Sequence, residues 1–282
     1  MTFGHSQKIE ARLLLCLSCV FSICQTSSNV LAQDQISELR MFTRGLARDR
    51  SAISSAQINP LEDKAVKLNQ QGVELYFKGQ QKRALGKIKQ ALAHDPQNTE
   101  ILYNLSGFYL AEGEPKMAVP VIHHAVRKRP DDVSYLSRLA ESYVAANEIV
   151  QAIAVYERIA KKQPNNGEVL FRLGTLYALE KRLDSAENTL IRSKKLLGED
   201  PRLLRNLGNI LIAKGKYEEA LLVLTKALDK QPIAENAIAV GIARESLGHY
   251  QAAIESYKHG VTLGEEEPAL EKHISELEEL VE

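Results

Sequence analysis

The chain has 282 residues, of which 44% are hydrophobic and 26% charged, with 36 Lys plus Arg against 36 Asp plus Glu. That apolar content suits a packed globular protein, and the even charge provides no net field to attract nucleic acid or an anionic membrane surface. All three cysteines, Cys16, Cys19 and Cys24, fall near the N-terminus, so the remaining sequence can form neither a disulfide nor a thiolate metal site.

The first segment reads as an export signal. Lys8 and Arg12 precede the apolar run from Leu13 to Cys24, and Val30-Leu31-Ala32 places small residues where a signal peptidase looks. An apolar run this short cannot cross a bilayer, which takes about 20 residues, so the reading is a signal peptide over 1–32 and no integral span once it is cut. The alternative, a lipoprotein signal, needs a cysteine directly after a small residue. Only Ser18 before Cys19 meets that, with Cys16 a poor fit upstream. Removing the segment, which holds Lys8, Glu10 and Arg12, leaves 34 basic against 35 acidic side chains. An exported protein without disulfides suits a periplasm or cell envelope.

Residues 33–64 read as one helix, with Ile36, Leu39, Phe42 and Leu46 along a face, followed by the polar linker RSAISSAQINP.

From residue 65 the sequence is periodic. Ala84, Ala118, Ala152, Ala186 and Ala220 recur with a period of 34, and Pro96, Pro130, Pro164 and Pro232 keep the same phase, each at one fixed offset after an alanine of the series. Leu68, Leu102, Leu136, Leu170 and Leu204 precede the alanines at another fixed offset. Gly72, Ser106, Ala140, Gly174 and Gly208 stand one helical turn after those leucines. Apolar steps of three or four positions are helical spacing, and the prolines stop each unit, so the unit is helix, turn, helix. The small residues are expected where two helices cross closely, and stacking of units is expected to supply the core that no unit has alone. A sixth unit, with Gly241, Gly248, Tyr250 and Ala253, arrives one position early. It carries Ala237 in place of the leucine and Arg244 where the others have Leu or Tyr.

These markers resemble the tetratricopeptide repeat. The resemblance runs from Ala65 to about Gly264, in segments such as EVLFRLGTLYALEKRLDSAENTL and RLLRNLGNILIAKGKYEEALLVLTKAL. It implies an all-α, right-handed α-solenoid of about six repeats over 65–264. Residues 265–282 then form a capping helix, with Pro268 in its first turn and Leu270, Ile274, Leu277 and Val281 along one stripe.

The resemblance further implies a noncatalytic protein–protein interaction scaffold or adaptor that holds a peptide segment or partner protein in the groove lined by the first helices. Carried over to this sequence, the groove positions include Tyr76, Phe77, Tyr103, Asn104, Arg138, Phe171, Arg172, Arg205, Asn206 and Asn209, with Asn69, Gln70, Val73, Gly107, Glu141 and Thr175 among them. Arg138 and Arg172 recur in register, and Arg202 and Arg205 lie close to that place one repeat on. Guanidinium forks suit an acidic segment or a free C-terminus. The competing reading pairs these arginines with Glu141, Glu168 or a neighbouring repeat. If they bind a ligand, Arg138, Arg172 and Arg205 are expected at the surface. The chaperone-tail clamp of some family members is matched at Asn104 and Arg138, but Val66, Gln70 and Ser134 stand where its other ligands belong. A regular asparagine ladder is broken by Gln70, Arg138 and Arg172.

No cofactor or metal is implied. His123 and His124 are adjacent on a helix and point about 100° apart, and the other histidines have no partners at ligand spacing. The sequence has no phosphate-cradling glycine loop, G-x-S-x-G or H-E-x-x-H. The reading is therefore an exported adaptor. The alternative makes the same repeats an outer-membrane lipoprotein-like assembly factor for a secretin, pilus or polysaccharide export complex.

Overall fold

The computed structural model describes residues 60–264 and 268–282. The expected signal peptide with its cysteines, and the segment carrying Ile36, Leu39, Phe42 and Leu46, lie outside the described residues. The described residues are helices joined by turns, with no strand among them. Their contacts divide the protein into two compact units between Val155 and Tyr156.

The first unit holds α1 (Pro60–Phe77), α2 (Gln81–His94), α3 (Thr99–Ala111), α4 (Pro115–Lys128), α5 (Val133–Ala145) and the opening half of α6 (Ile149–Lys162). The second holds the rest of α6, α7 (Gly167–Leu179), α8 (Leu183–Leu197), α9 (Pro201–Ala213), α10 (Tyr217–Lys230), α11 (Ala234–Ser246), α12 (Tyr250–Leu263) and α13 (Pro268–Val281). The protein is thus an all-α repeat fold. Helix α1 begins at Pro60, inside the segment read as linker, because proline's fixed φ and missing N–H suit a first helical turn.

Within a repeat the small residue does what the spacing requires. A Cβ built on Gly72 would lie 2.6 Å from Ile88 Cδ1, one on Gly174 would lie 2.7 Å from Leu190 Cγ, and one on Gly241 would lie 2.6 Å from Tyr257 Cδ1. In each case the partner belongs to the second helix of the same repeat and is almost fully buried. Ser106 and Ala140, at the same place in their repeats, are also fully buried.

Two more periodic devices close the helices. Asn98, Asp132, Asn166 and Asp200, which keep the repeat period, cap α3, α5, α7 and α9 by accepting backbone N–H bonds from two or three positions on. The turn from first to second helix needs a left-handed residue. Gly79, Gly113, Gly215 and Gly248 supply it at φ 72° to 77°, whereas Asn147 (φ 60°) and Lys181 (φ 57°) hold the same place without glycine's freedom.

First helices of neighbouring repeats touch one another directly: α1 with α3 and α3 with α5 in the first unit, α7 with α9 and α9 with α11 in the second. That side of each stack is where equivalent residues of successive repeats converge.

The sixth repeat keeps its helices despite its altered residues. Ala237 is fully buried, and Arg244 turns toward α12, donating from Nη1 to Ala252 O (3.1 Å) and Ser256 Oγ (2.7 Å). Helix α13 covers α12 with Ile274 and Leu277, both buried, while Val281 of the expected stripe is 44% exposed. Its His273 Nε2 lies 2.8 Å from Glu245 Oε2, the same oxygen that accepts from the Tyr257 hydroxyl at 2.7 Å.

Candidate functional site

In the first unit, the face of α1, α3 and α5 is largely occupied by its own hydrogen bonds. Asn104 Nδ2 donates to Asn69 Oδ1 at 3.1 Å, joining α3 to α1, and both side chains are buried. Arg138 Nη2 donates to the Tyr103 hydroxyl at 3.0 Å, and its guanidinium carbon lies 4.7 Å from the centre of the Tyr103 ring. Tyr135 donates to Thr99 Oγ1 at 3.0 Å across the same helix pair. Gly107 makes room for this arrangement, since a Cβ there would come to 3.7–3.9 Å of the Arg138 guanidinium.

Arg138 is only 4% exposed and pairs through Nη1 with Glu141 Oε2 at 3.4 Å. The expectation that it faces the surface is therefore corrected. A guanidinium can be buried here because an aromatic face, a hydroxyl and a carboxylate replace its water shell. Asn104 is likewise taken from the accessible face by its bond to Asn69. What this unit leaves more open is aromatic: Tyr76 stacks on Phe108 at 4.6 Å, and Phe77, set edge-on to Tyr76, is 39% exposed. Burial, and then the charge of Glu112, raise the Tyr76 phenol above its ordinary value.

The second unit keeps its arginines nearer the surface. On α7, Arg172 Nε lies 3.2 Å from Glu168 Oε1 in the first turn, one helical turn back, with Arg172 20% exposed. On α9, Arg202 is 44% exposed and forms a fork with the capping carboxylate of Asp200, from Nε to Oδ1 at 3.2 Å and from Nη2 to Oδ2 at 3.0 Å. Arg202 Nη2 also stands 3.8 Å from Glu168 Oε2, and its guanidinium carbon is 5.4 Å from the Phe171 ring centre. Burial pushes the Asp200 carboxyl up, but the Arg202 hydrogen bond and charge, with the backbone N–H groups of Arg202 and Leu203, hold it below its ordinary value.

The remaining polar groups tie the first helices together. Arg205 Nη1 donates to Asn236 Oδ1 at 3.1 Å, and Asn236 in turn donates to Gln231 O at 2.7 Å and Ala227 O at 3.2 Å. Asn206 Nδ2 donates to Thr175 Oγ1 at 3.0 Å, and Thr175 donates to Phe171 O at 3.0 Å. Asn209, one turn past Arg205, turns its Oδ1 inward with no donor on it.

The sequence-derived positions thus fall into two groups. Phe171, Arg172, Arg205, Asn206 and Asn209 come together on one face with Arg202. Tyr103, Asn104 and Arg138 form an internal network, with Tyr76 and Phe77 at the other end of their helices. Of the partners weighed from sequence, Glu141 pairs with Arg138, and Glu168 with Arg172 and Arg202. Asp200 and Asn236 escaped sequence reasoning. Asp200 was detectable as a member of the periodic capping series, whereas Asn236 gave no periodic signal, since the cap position of its repeat is Ile233.

Among the described residues no three or more His, Cys, Asp or Glu cluster to hold a metal, and no helix is long and apolar enough to cross a membrane. Beside the start of α7, an open notch is lined by residues 163–168 together with Leu196 and Leu197.

Family models described as tetratricopeptide repeat match residues 78–142, 143–210 and 201–233. No curated protein matches the sequence. Among solved structures, PilW, titled a widely conserved type IV pilus biogenesis factor, is 17% identical. The match covers 77% of this chain and all of that one, with a TM-score of 0.63. YrrB, titled a TPR protein with an unusual peptide-binding site, is 17% identical over 67% of this chain and 97% of its own, with a TM-score of 0.56. MamA from Desulfovibrio magneticus RS-1 is 20% identical over 59% of this chain and 94% of its own, also with a TM-score of 0.56. At these identities the likeness is one of fold.

Proposed function

We propose, from the premise that this chain belongs to the tetratricopeptide-repeat proteins, that it is a noncatalytic scaffold holding a peptide segment or partner protein against its first helices. One observation carries the reading. In the second unit the first helices α7 and α9 touch and are tied by the Asn206–Thr175 bond, which brings Phe171, Arg172, Arg202 and Asn209 to one face. Cationic forks beside an aromatic ring suit a segment with carboxylates. The repeat family works in general by such contacts and not by bond-making chemistry.

The scaffold acts outside the cytoplasm, a reading supported by the charged, apolar and small-residue order of residues 1–32. The second reading, an envelope assembly factor held by a lipid, rests on Ser18-Cys19 in that segment. The pilus biogenesis role named for PilW is the kind of work it would do.

A photoreactive residue placed at Asn209 on the first-helix face, or at Leu222, which is 65% exposed on the second helix α10, tests the scaffold reading in cells. Adducts to a partner are expected at position 209 and not at 222. Adducts at 222 alone, or equally at both, would remove the first-helix face from the mechanism. Mass spectrometry of the same protein decides the compartment, with Gln33 as the expected first residue and a lipid on Cys19 as the mark of the second reading.

A further inference from the structure

The Glu168 carboxylate bridges two arginines that come from different first helices, Arg172 of α7 and Arg202 of α9. The Arg202 guanidinium has partners other than Glu168 that orient it before any ligand arrives. Arg202 is gripped by the Asp200 fork and lies beside Phe171, and Arg172 is only one-fifth exposed. A cation oriented in this way loses less freedom on meeting an anion than a loose surface side chain does. Glu168, by contrast, is 41% exposed, and its second contact is long. Pairs of that kind hold their carboxylate weakly against water.

We propose that Arg172, Arg202 and Phe171 form a carboxylate-binding site for a partner segment, and that Glu168 is its resident occupant, displaced when the partner binds. This rests on the reading of the first-helix face as the binding face and names the chemistry it takes. The ligand carboxylate enters between the two guanidiniums, and Glu168, freed on the first turn of α7, turns to solvent. The rest of the segment has a track to follow. Arg202, Asn206 and Asn209 stand at i, i+4 and i+7 on α9, a stripe about 10 Å long that roughly three residues of extended peptide would cover. Two sources provide such a carboxylate, an acidic side chain or a free C-terminus.

Fluorescence anisotropy with the full-length protein and three labelled peptides tests the proposal. The probes are Gly-Ser-Glu-Glu-Glu-Gly-Ser with an amidated end, its all-glutamine counterpart with an amidated end, and that counterpart with a free C-terminal carboxylate. Removing a weak internal competitor should tighten carboxylate binding by about two- to five-fold, so Glu168→Gln is expected to gain that much for one or both carboxylate probes and nothing for the amidated glutamine probe. A gain for the glutamate probe alone assigns side chains as the ligand, and a gain for the free-ended probe alone assigns a C-terminus. Adding Arg172→Gln and Arg202→Gln should abolish the gain. Glu180→Gln makes the same change in net charge at the far end of α7, about 18 Å of helix away and beyond the screening length, and should gain nothing.

No gain in Glu168→Gln, an equal gain in Glu180→Gln, or no binding of any carboxylate probe by any variant overturns the proposal. Circular dichroism confirms the fold of each variant, and Glu168→Ala provides a second test of the same direction should the glutamine variant fold poorly. Failure here is separable from failure of the scaffold reading. Adducts at position 209 without a Glu168→Gln gain sink only the resident carboxylate, whereas the scaffold reading falls on the adducts themselves.

Discussion

Replacing Gly174 by alanine puts a methyl group 2.7 Å from both Cγ and Cδ2 of Leu190 and 3.4 Å from its backbone nitrogen. Carbon atoms in contact prefer about 3.5–4.0 Å, so the overlap is about 1 Å, and Leu190 is fully buried. Leu190 must leave its rotamer or the crossing of α7 and α8 must open, at a cost of about 1–3 kcal/mol. Against this stands the better helix propensity of alanine, about 1 kcal/mol. Gly86→Ala in α2 isolates the two effects, because a Cβ there meets nothing within 4 Å and the residue is exposed. The propensity gain is common to both variants, so the difference between them reads the packing alone. Gly86→Ala should raise the urea midpoint followed by far-ultraviolet circular dichroism, and Gly174→Ala should lower it relative to Gly86→Ala by the equivalent of about 1–3 kcal/mol. A difference below about 0.5 kcal/mol would refute the assignment of Gly174 to a tight crossing.

Arg138→Glu should cost about 3–5 kcal/mol in the same assay, because it sets a carboxylate beside Glu141 in a buried site and leaves the Tyr103 hydroxyl without its donor; wild-type stability would show that Arg138 is not enclosed as described. Tyr177 should titrate late in an ultraviolet absorbance titration, since burial, the Glu157 hydrogen bond and the Glu157 charge raise its phenol from 10.0 to about 12 despite Arg182. A folded value raised above the unfolded one means that the contribution is intact below pH 10 and fades as pH climbs through about 12. Glu157→Gln should bring the titration earlier, and an unchanged profile in that variant would break the link to the 2.7 Å Tyr177–Glu157 bond.

The fold was legible because it is a periodic solution to a local packing problem. Small residue, partner side chain, stop and turn each recur on the same count, so Gly174 announces Leu190 without any knowledge of tertiary structure. The site was legible only in part, because position on a helix does not say which neighbour a long side chain reaches. Arg138 and Arg172 occupy equivalent places, yet one is buried against Tyr103 and the other sits beside Glu168 at the surface. The difference lies in the preceding or adjoining repeat, where Tyr103 and Gly107 offer an aromatic wall and the space beside it. Asn236 could not be foreseen for the same reason: it works by reaching back to Gln231 and Ala227, and its repeat has lost the polar cap that marks the four before it.

The left-handed turns at Asn147 and Lys181 leave stability unclaimed. Four equivalent turns use glycine, while a lysine with φ 57° carries a steric penalty of about 1 kcal/mol, less at the asparagine. Selection for a folded protein stops once the threshold is met, so such residues persist where they do no harm. These two positions are therefore the natural places to harden the protein for handling at high temperature, since they lie in the links between helices and carry none of the side chains named for the binding face.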